Sequence, residues 1–192
     1  MIYTSILSAV VSALAAETID NTAKQAWQKL YQPGYADSEG LAGLIRASNS
    51  SGIKRIDADC WVHARLHSQL KPRHWNALVA KYSTHKGKKV QAISALAPVI
   101  ASHAPQLFVM KAVTAWAIPQ MKGVDGKRST DMIVLPQHFY DINSWDSQGL
   151  NRTTYWRWKR VVERTLDEMI NEALTESENI LRMEGVLVAD VA

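Results

Sequence analysis

Between Arg152 and about Glu176 the chain contains neither glycine nor proline, and its apolar residues recur every three or four positions. Tyr155, Trp158, Val162, Leu166, Met169 and Ala173 therefore share one face of a single long helix. A helix with one such face needs an apolar surface to cover it. The rest of the chain is written in the same alphabet: nine glycines, six prolines, and long stretches rich in Ala, Leu, Lys, Gln and Glu. The expected fold is all-α, a multi-helix body with a C-terminal helix-turn-helix and a long recognition helix. With 192 residues, 47% of them hydrophobic, one domain or slightly more can close around a sizeable core.

The helix-turn-helix expectation comes from what precedes Arg152. Pro136 opens a short segment with Phe139, Tyr140, Ile142 and Trp145 on an apolar face, Gly149 ends it, and Asn151 is a polar cap. That is the order support helix, tight turn, recognition helix. Glycine suits the turn because it reaches positive φ without steric cost. Leu150, Tyr155 and Trp158 fall where apolar anchors are needed. Trp145 stands where a small residue usually packs, so the packing angle should depart from the usual one.

Arg157, Arg160 and Arg164 form a second stripe at helical spacing, and Thr153 extends it toward the helix start. Arginine's planar fork suits phosphate and guanine alike. The candidate DNA contacts are Arg152, Thr153, Thr154, Trp156, Arg157, Lys159, Arg160 and Arg164. Trp156 and Trp158 flank Arg157 and can stack on bases. Trp158 falls on the buried face, whereas the pattern does not decide Trp156. The competing reading is an ordinary amphipathic surface helix with a cationic start.

Charge favours the first reading. Residues 65–128 hold eleven Lys and Arg against one acid, Asp125, whereas residues 165–192 hold seven acids against Arg182. Along the long helix itself, cations at the start give way to Glu163, Asp167, Glu168, Glu172, Glu176 and Glu178. Both ends oppose the helix macrodipole, so helix stability alone does not account for the order. A nucleic-acid partner at the start and a protein partner near the end would both account for it. Lys71, Arg73, Lys81, Lys86, Lys88, Lys89, Lys127 and Arg128 form a secondary basic surface in the same sense.

Along the chain, residues 2–31 read as one or two helices, and Asp37 or Ser38 caps a short helix through Ala47. Further helices are expected at 56–70 (Trp61 and Leu66 inward), 73–83 (Trp75, Leu78, Val79 and Tyr82 inward), 90–102 (Val90, Ile93, Leu96 and Ile100) and 105–117. Residues 84–89 read as a basic turn, 119–130 as a polar loop, and 131–135 as a short apolar run, strand or helix. The domain reading is a helical body at 1–118, a linker at 119–135, and a helix-turn-helix module with an acidic tail at 136–192.

Catalytic patterns are sparse. There is no GxxxxGK[ST] phosphate loop and no G-x-S-x-G elbow. Asp57 with Asp59, and Asp141 with Asp146, leave a metal-dependent nuclease as an alternative, but no Lys or Glu completes a nuclease pattern, so no enzyme and no cofactor are expected. Cys60, His63 and His67 lie on one helical run, with His74 beyond, and are a weak zinc candidate: three ligands on one helix rarely converge tetrahedrally. A single cysteine fits a reducing compartment. Residues 2–16 are apolar but lack the positive segment of a signal peptide and are too short for a membrane span, so a buried first helix is expected.

Two of these motifs also carry a family resemblance. Trp75-Asn76-Ala77-Leu78-Val79-Ala80-Lys81-Tyr82 with the basic turn after it, and the helix start Asn151-Arg152-Thr153-Thr154-Tyr155-Trp156-Arg157, resemble the late-gene antitermination proteins called Q of lambda-like phages and prophages. The resemblance spans roughly residues 60–175 and is one of layout and local motif. It implies binding to a DNA element at a phage late promoter, engagement of paused RNA polymerase and its sigma factor, and readthrough of terminators. The implied partners are double-stranded DNA and that polymerase, in the cytoplasm of a bacterial host cell. Some members hold zinc through cysteine pairs, which this chain lacks. By position, the resemblance supports Arg152, Thr153, Arg157 and Arg160 as DNA contacts. The alternatives are a phage nuclease targeted by the helix-turn-helix, which would need a divalent metal, and a plain repressor, which would need a stable dimer. Oligomeric state stays open.

Overall fold

A computed structural model of the chain describes Tyr3 and residues 5–16, 55–120 and 133–187. Every regular element among them is helical: α1 (Ile6–Ala16), α2 (Arg55–Gln69), α3 (Pro72–Tyr82), α4 (Lys86–Leu96), α5 (Gln106–Ala117) and α6 (Arg152–Met183), with 3-10 turns at Ala97–Val99, Gln137–Tyr140 and Ile142–Ser144. The chain is all-α, as the periodicity required. No helix among the described residues is long and apolar enough to cross a membrane. The expected helix near 37–47, and Lys127 and Arg128 of the polar loop, lie outside the described residues.

The chain forms two compact units, Met1–Lys71 with Ala173–Ala192, and Pro72–Glu172. Helix α6 gives its first part to one unit and its end to the other.

In the first unit α1 packs on α2. Ser5 starts α1, its Oγ accepting the Ser8 amide at 3.2 Å. Ala9, Val10, Ala13 and Leu14 are buried, and the alanines let the two helices approach closely. On α2 the inward set is Ala58, Cys60, Val62 and Leu66. Trp61, expected inward, is only half-buried. The Tyr3 hydroxyl donates to the buried Asp59 carboxylate at 2.6 Å.

The end of α6 belongs to this unit and runs seven residues past the expected stop at Glu176, to Met183. Gly185, at φ 68°, ends it. Its amide donates to the Arg182 carbonyl and that of Val186 to the Leu181 carbonyl, at 3.0 Å each. Leu181 and Val186 are both buried at this C-cap. Arg65 on α2 pairs with Glu184 just beyond the helix.

The second unit is built on α3, α4 and α5, whose mutual packing is its frame. Pro72 is the first residue of α3, where its missing N–H costs nothing. The buried face of α3 is His74, Ala77, Leu78, Val79 and Ala80. Trp75 and Tyr82, expected inward, are half-buried. The expected basic turn at 84–89 is in part helix: His85 caps α4, its Nδ1 accepting the Lys88 amide at 3.2 Å, so Lys86, Lys88 and Lys89 sit in the first turn. Helix α4 ends at Leu96, short of the expected 102: Ala97 still donates to the Ile93 carbonyl, but Pro98 has no N–H to continue the ladder, and the chain passes into the 3-10 turn Ala97–Val99. Val90 faces solvent rather than the core.

Residues 136–149 are the main departure. Where a support helix was expected there are two 3-10 turns. The cause is local: Asp141 adopts an extended conformation, and its carboxylate takes the Asn143 amide at 3.1 Å and the Asn143 side chain at 3.0 Å. A short acidic side chain that captures the backbone two residues on competes with helix propagation. The described part of the 131–135 run, residues 133–135, is neither strand nor helix.

Candidate nucleic-acid interface

The start of α6 is fixed by an aromatic cluster centred on Phe108 of α5. Its ring lies 5.3 Å from that of Trp145, 5.7 Å from Tyr155 and 5.5 Å from Trp158. Phe108, Trp145 and Tyr155 are essentially inaccessible to solvent. The Trp145 indole N–H donates to the Phe139 carbonyl at 2.6 Å, so its polar edge is satisfied. The bulky residue expected to disturb a helix–helix contact instead fills the space beside the two turns. Phe108 escaped the sequence reading, although Phe108, Ala112, Val113 and Trp116 repeat at helical spacing.

The turn follows from the cluster. Gly149 has φ 65°, as the sequence required. The Asn151 carboxamide accepts the Thr153 amide at 3.0 Å and its carbonyl accepts the Thr154 amide at 2.8 Å, a side-chain N-cap. The hydroxyl of Tyr155 accepts the Leu150 amide at 2.8 Å and donates to Asp146 at 3.2 Å. One buried ring thus ties turn, cap and helix together.

On this base α6 presents two faces. Tyr155, Val162, Leu166, Met169, Ile170 and Ala173 are buried. Thr153, Arg157, Arg160 and Arg164 are exposed, as is Arg152. Arg152, Arg157 and Arg160 make no ion pair among the described residues. Arg164 is paired at 3.8 Å with Glu168 one turn on, a contact of little energetic weight between exposed groups. Thr154 is half-buried. Trp158 is half-buried in the Phe108 cluster, whereas Trp156 is 43% exposed.

Lys159 fares differently from the other cations. Its ammonium lies 5.0 Å from the Trp156 ring centroid and 5.7 Å from that of Trp145, and 3.6 Å from Glu163. It is held against the protein, not offered outward.

The secondary basic surface divides in the same way. Lys81 lies 4.4 Å over the Trp116 ring and donates to the Trp116 carbonyl at 3.3 Å. Lys89 donates to the Lys81 and Ser83 carbonyls at 3.2 and 3.3 Å, closing the end of α3. Arg73 pairs with Glu172 at 3.1 Å, and His74 lies 3.0 Å from the same carboxylate. Lys71, Lys86 and Lys88 are exposed.

Cys60 and His63 are buried and His67 is exposed, and no group of three His, Cys, Asp or Glu able to hold a metal occurs among the described residues. Asp59, Asp141 and Asp146 are hydrogen-bonded to Tyr3, Asn143 and Tyr155 in turn. No family model, no curated protein and no solved structure matches this chain.

Proposed function

We propose that the first half of α6 is a duplex-binding surface, and that the protein is a DNA-binding transcription regulator of the antiterminator kind. The observation that carries the reading is the exposed stripe of Thr153, Arg157, Arg160 and Arg164 opposite the buried face of Tyr155, Val162 and Leu166. Two of its arginines have no intramolecular ion pair among the described residues, so they reach phosphate or a guanine edge without breaking a contact. The stripe spans about 16 Å of helix axis, and a helix about 10–12 Å across fits the major groove. The 3-10 turns take the place of a support helix, with the Phe108 cluster behind them.

Antitermination is the narrower part of the proposal. It rests on the likeness of residues 75–82 and 151–157 to the phage Q proteins, and with it comes engagement of RNA polymerase and its sigma factor in the bacterial cytoplasm. The test is single-round transcription in vitro from the late promoter of the encoding phage or prophage through a terminator. Readthrough that depends on the protein and is lost in Arg157→Ala is the expected result. Salt-sensitive DNA binding without readthrough leaves a DNA-binding regulator. Absence of both refutes the surface assignment.

A further inference from the structure

Three aromatic side chains lie at the start of α6, and they are used differently. Tyr155 and Trp158 are part of the Phe108 cluster. Trp156 is 43% exposed, although no tryptophan gains from facing water. Its indole is also held: the Lys159 ammonium is 5.0 Å from the ring centroid, and Lys159 is itself fixed by Glu163 at 3.6 Å and by the buried Trp145 ring at 5.7 Å. A ring that already has such a neighbour in the free protein has less freedom to lose on binding. Arg152 precedes Trp156 by four residues and Arg160 follows it by four, so one exposed helical stripe reads cation, aromatic, cation.

That alternation fits a chemistry other than the intact duplex. Cations track a phosphate backbone, and an aromatic face between them stacks on a base. Inside a duplex every base is already stacked on both sides, and making room for an indole costs a few kcal/mol of unstacking. An unpaired base offers its face at no such cost. We infer that Trp156, positioned by Lys159 and flanked by Arg152 and Arg160, is a stacking platform for an unpaired base, so that this surface takes single-stranded DNA. The inference rests on the reading of the start of α6 as a nucleic-acid surface, and it assigns Lys159 a positioning role instead of a phosphate contact.

The experiment is fluorescence anisotropy with a labelled oligothymidine and a labelled duplex, using the full chain and its Trp156→Leu, Trp156→Phe and Arg157→Ala variants. Thermal melts establish that each variant is folded. Trp156→Leu is expected to weaken oligothymidine binding about 5- to 150-fold, the range of one base–aromatic stack. Its duplex affinity should change less than about threefold, and Trp156→Phe, which keeps a ring, should recover part of the loss. Equal losses for both DNAs in Trp156→Leu, or no loss for oligothymidine, overturn the inference. Duplex binding lost in Arg157→Ala beside unchanged oligothymidine binding in Trp156→Leu refutes the stacking platform alone. A wild-type protein that binds neither DNA refutes the platform and the duplex surface together.

Discussion

The hydroxyl of Tyr155 accepts the amide hydrogen of Leu150 at 2.8 Å, joining the buried face of α6 to the turn that starts it. The same oxygen donates to Asp146 at 3.2 Å. Tyr155→Phe keeps the ring in the Phe108 cluster and deletes both bonds. The Leu150 bond is only part-buried, so the cost should be about 1 kcal/mol. Urea unfolding reads it. A loss beyond about 3 kcal/mol would mean that the hydroxyl carries more than this turn.

Lys81 and Arg157 should separate in one salt titration. Lys81 is bound to Trp116 by its ring face and its carbonyl. Lys81→Ala is expected to lower stability by about 1 kcal/mol, the sum of a weak cation–π contact and one hydrogen bond. The dependence of DNA affinity on salt should stay as it is. Arg157→Ala should leave stability within about 0.5 kcal/mol and weaken specific binding by about 1–3 kcal/mol if it reads a base. If Arg157 touches phosphate alone, the salt slope should fall by about one. A changed slope in Lys81→Ala would return that lysine to the binding surface.

Tyr82 should lower the stability of the fold at alkaline pH. Burial, and then the Asp167 carboxylate, hold its phenol above the ordinary value of 10.0. With a raised folded pKa, the stabilisation is complete while both states are protonated. It is lost as pH climbs past about 10, where the unfolded chain releases its proton first. The Tyr82 hydroxyl makes no hydrogen bond among the described residues, so Tyr82→Phe strands no partner. Melting temperatures from about pH 9 to about pH 11 should fall less steeply in Tyr82→Phe than in the parent. Parallel curves would place the alkaline transition on another group.

The sequence disclosed what depends on spacing and hid what depends on neighbours. Helix α6 was legible because its apolar residues repeat without a breaker from Tyr155 to Ala173, and the Gly149 turn because positive φ selects glycine. Its last turns were not, since Ser177, Glu178 and Asn179 conceal the apolar step at Ile180 and Leu181. The 3-10 turns before Gly149 were missed because a few apolar residues suit either geometry, and the Asp141 carboxylate decided between them. Lys81, Lys89 and Lys159 read as a basic surface in one dimension. Only the packing brings Trp116, the end of α3 and Trp145 beside them.

Phe108 gives the last and largest effect. It is fully buried, and the three rings around it come from the end of the second 3-10 turn and from the first two turns of α6. Phe108→Ala removes those contacts and leaves a cavity, at about 3–5 kcal/mol. Since whole domains are stable by only about 5–15 kcal/mol, that is a large share of the total, and the urea midpoint of this variant should fall far below that of the parent. Phe108→Leu fills most of the space but loses three aromatic pairs, each about 0.5–1.5 kcal/mol. It should fold, with a lower urea midpoint, and its DNA affinity should fall too, because Tyr155 and Trp158 no longer fix where Arg157 and Arg160 point. Circular dichroism and anisotropy on the two variants decide the matter. A Phe108→Leu protein with a lowered midpoint and undiminished DNA binding would show that the arginine stripe is set by α6 alone.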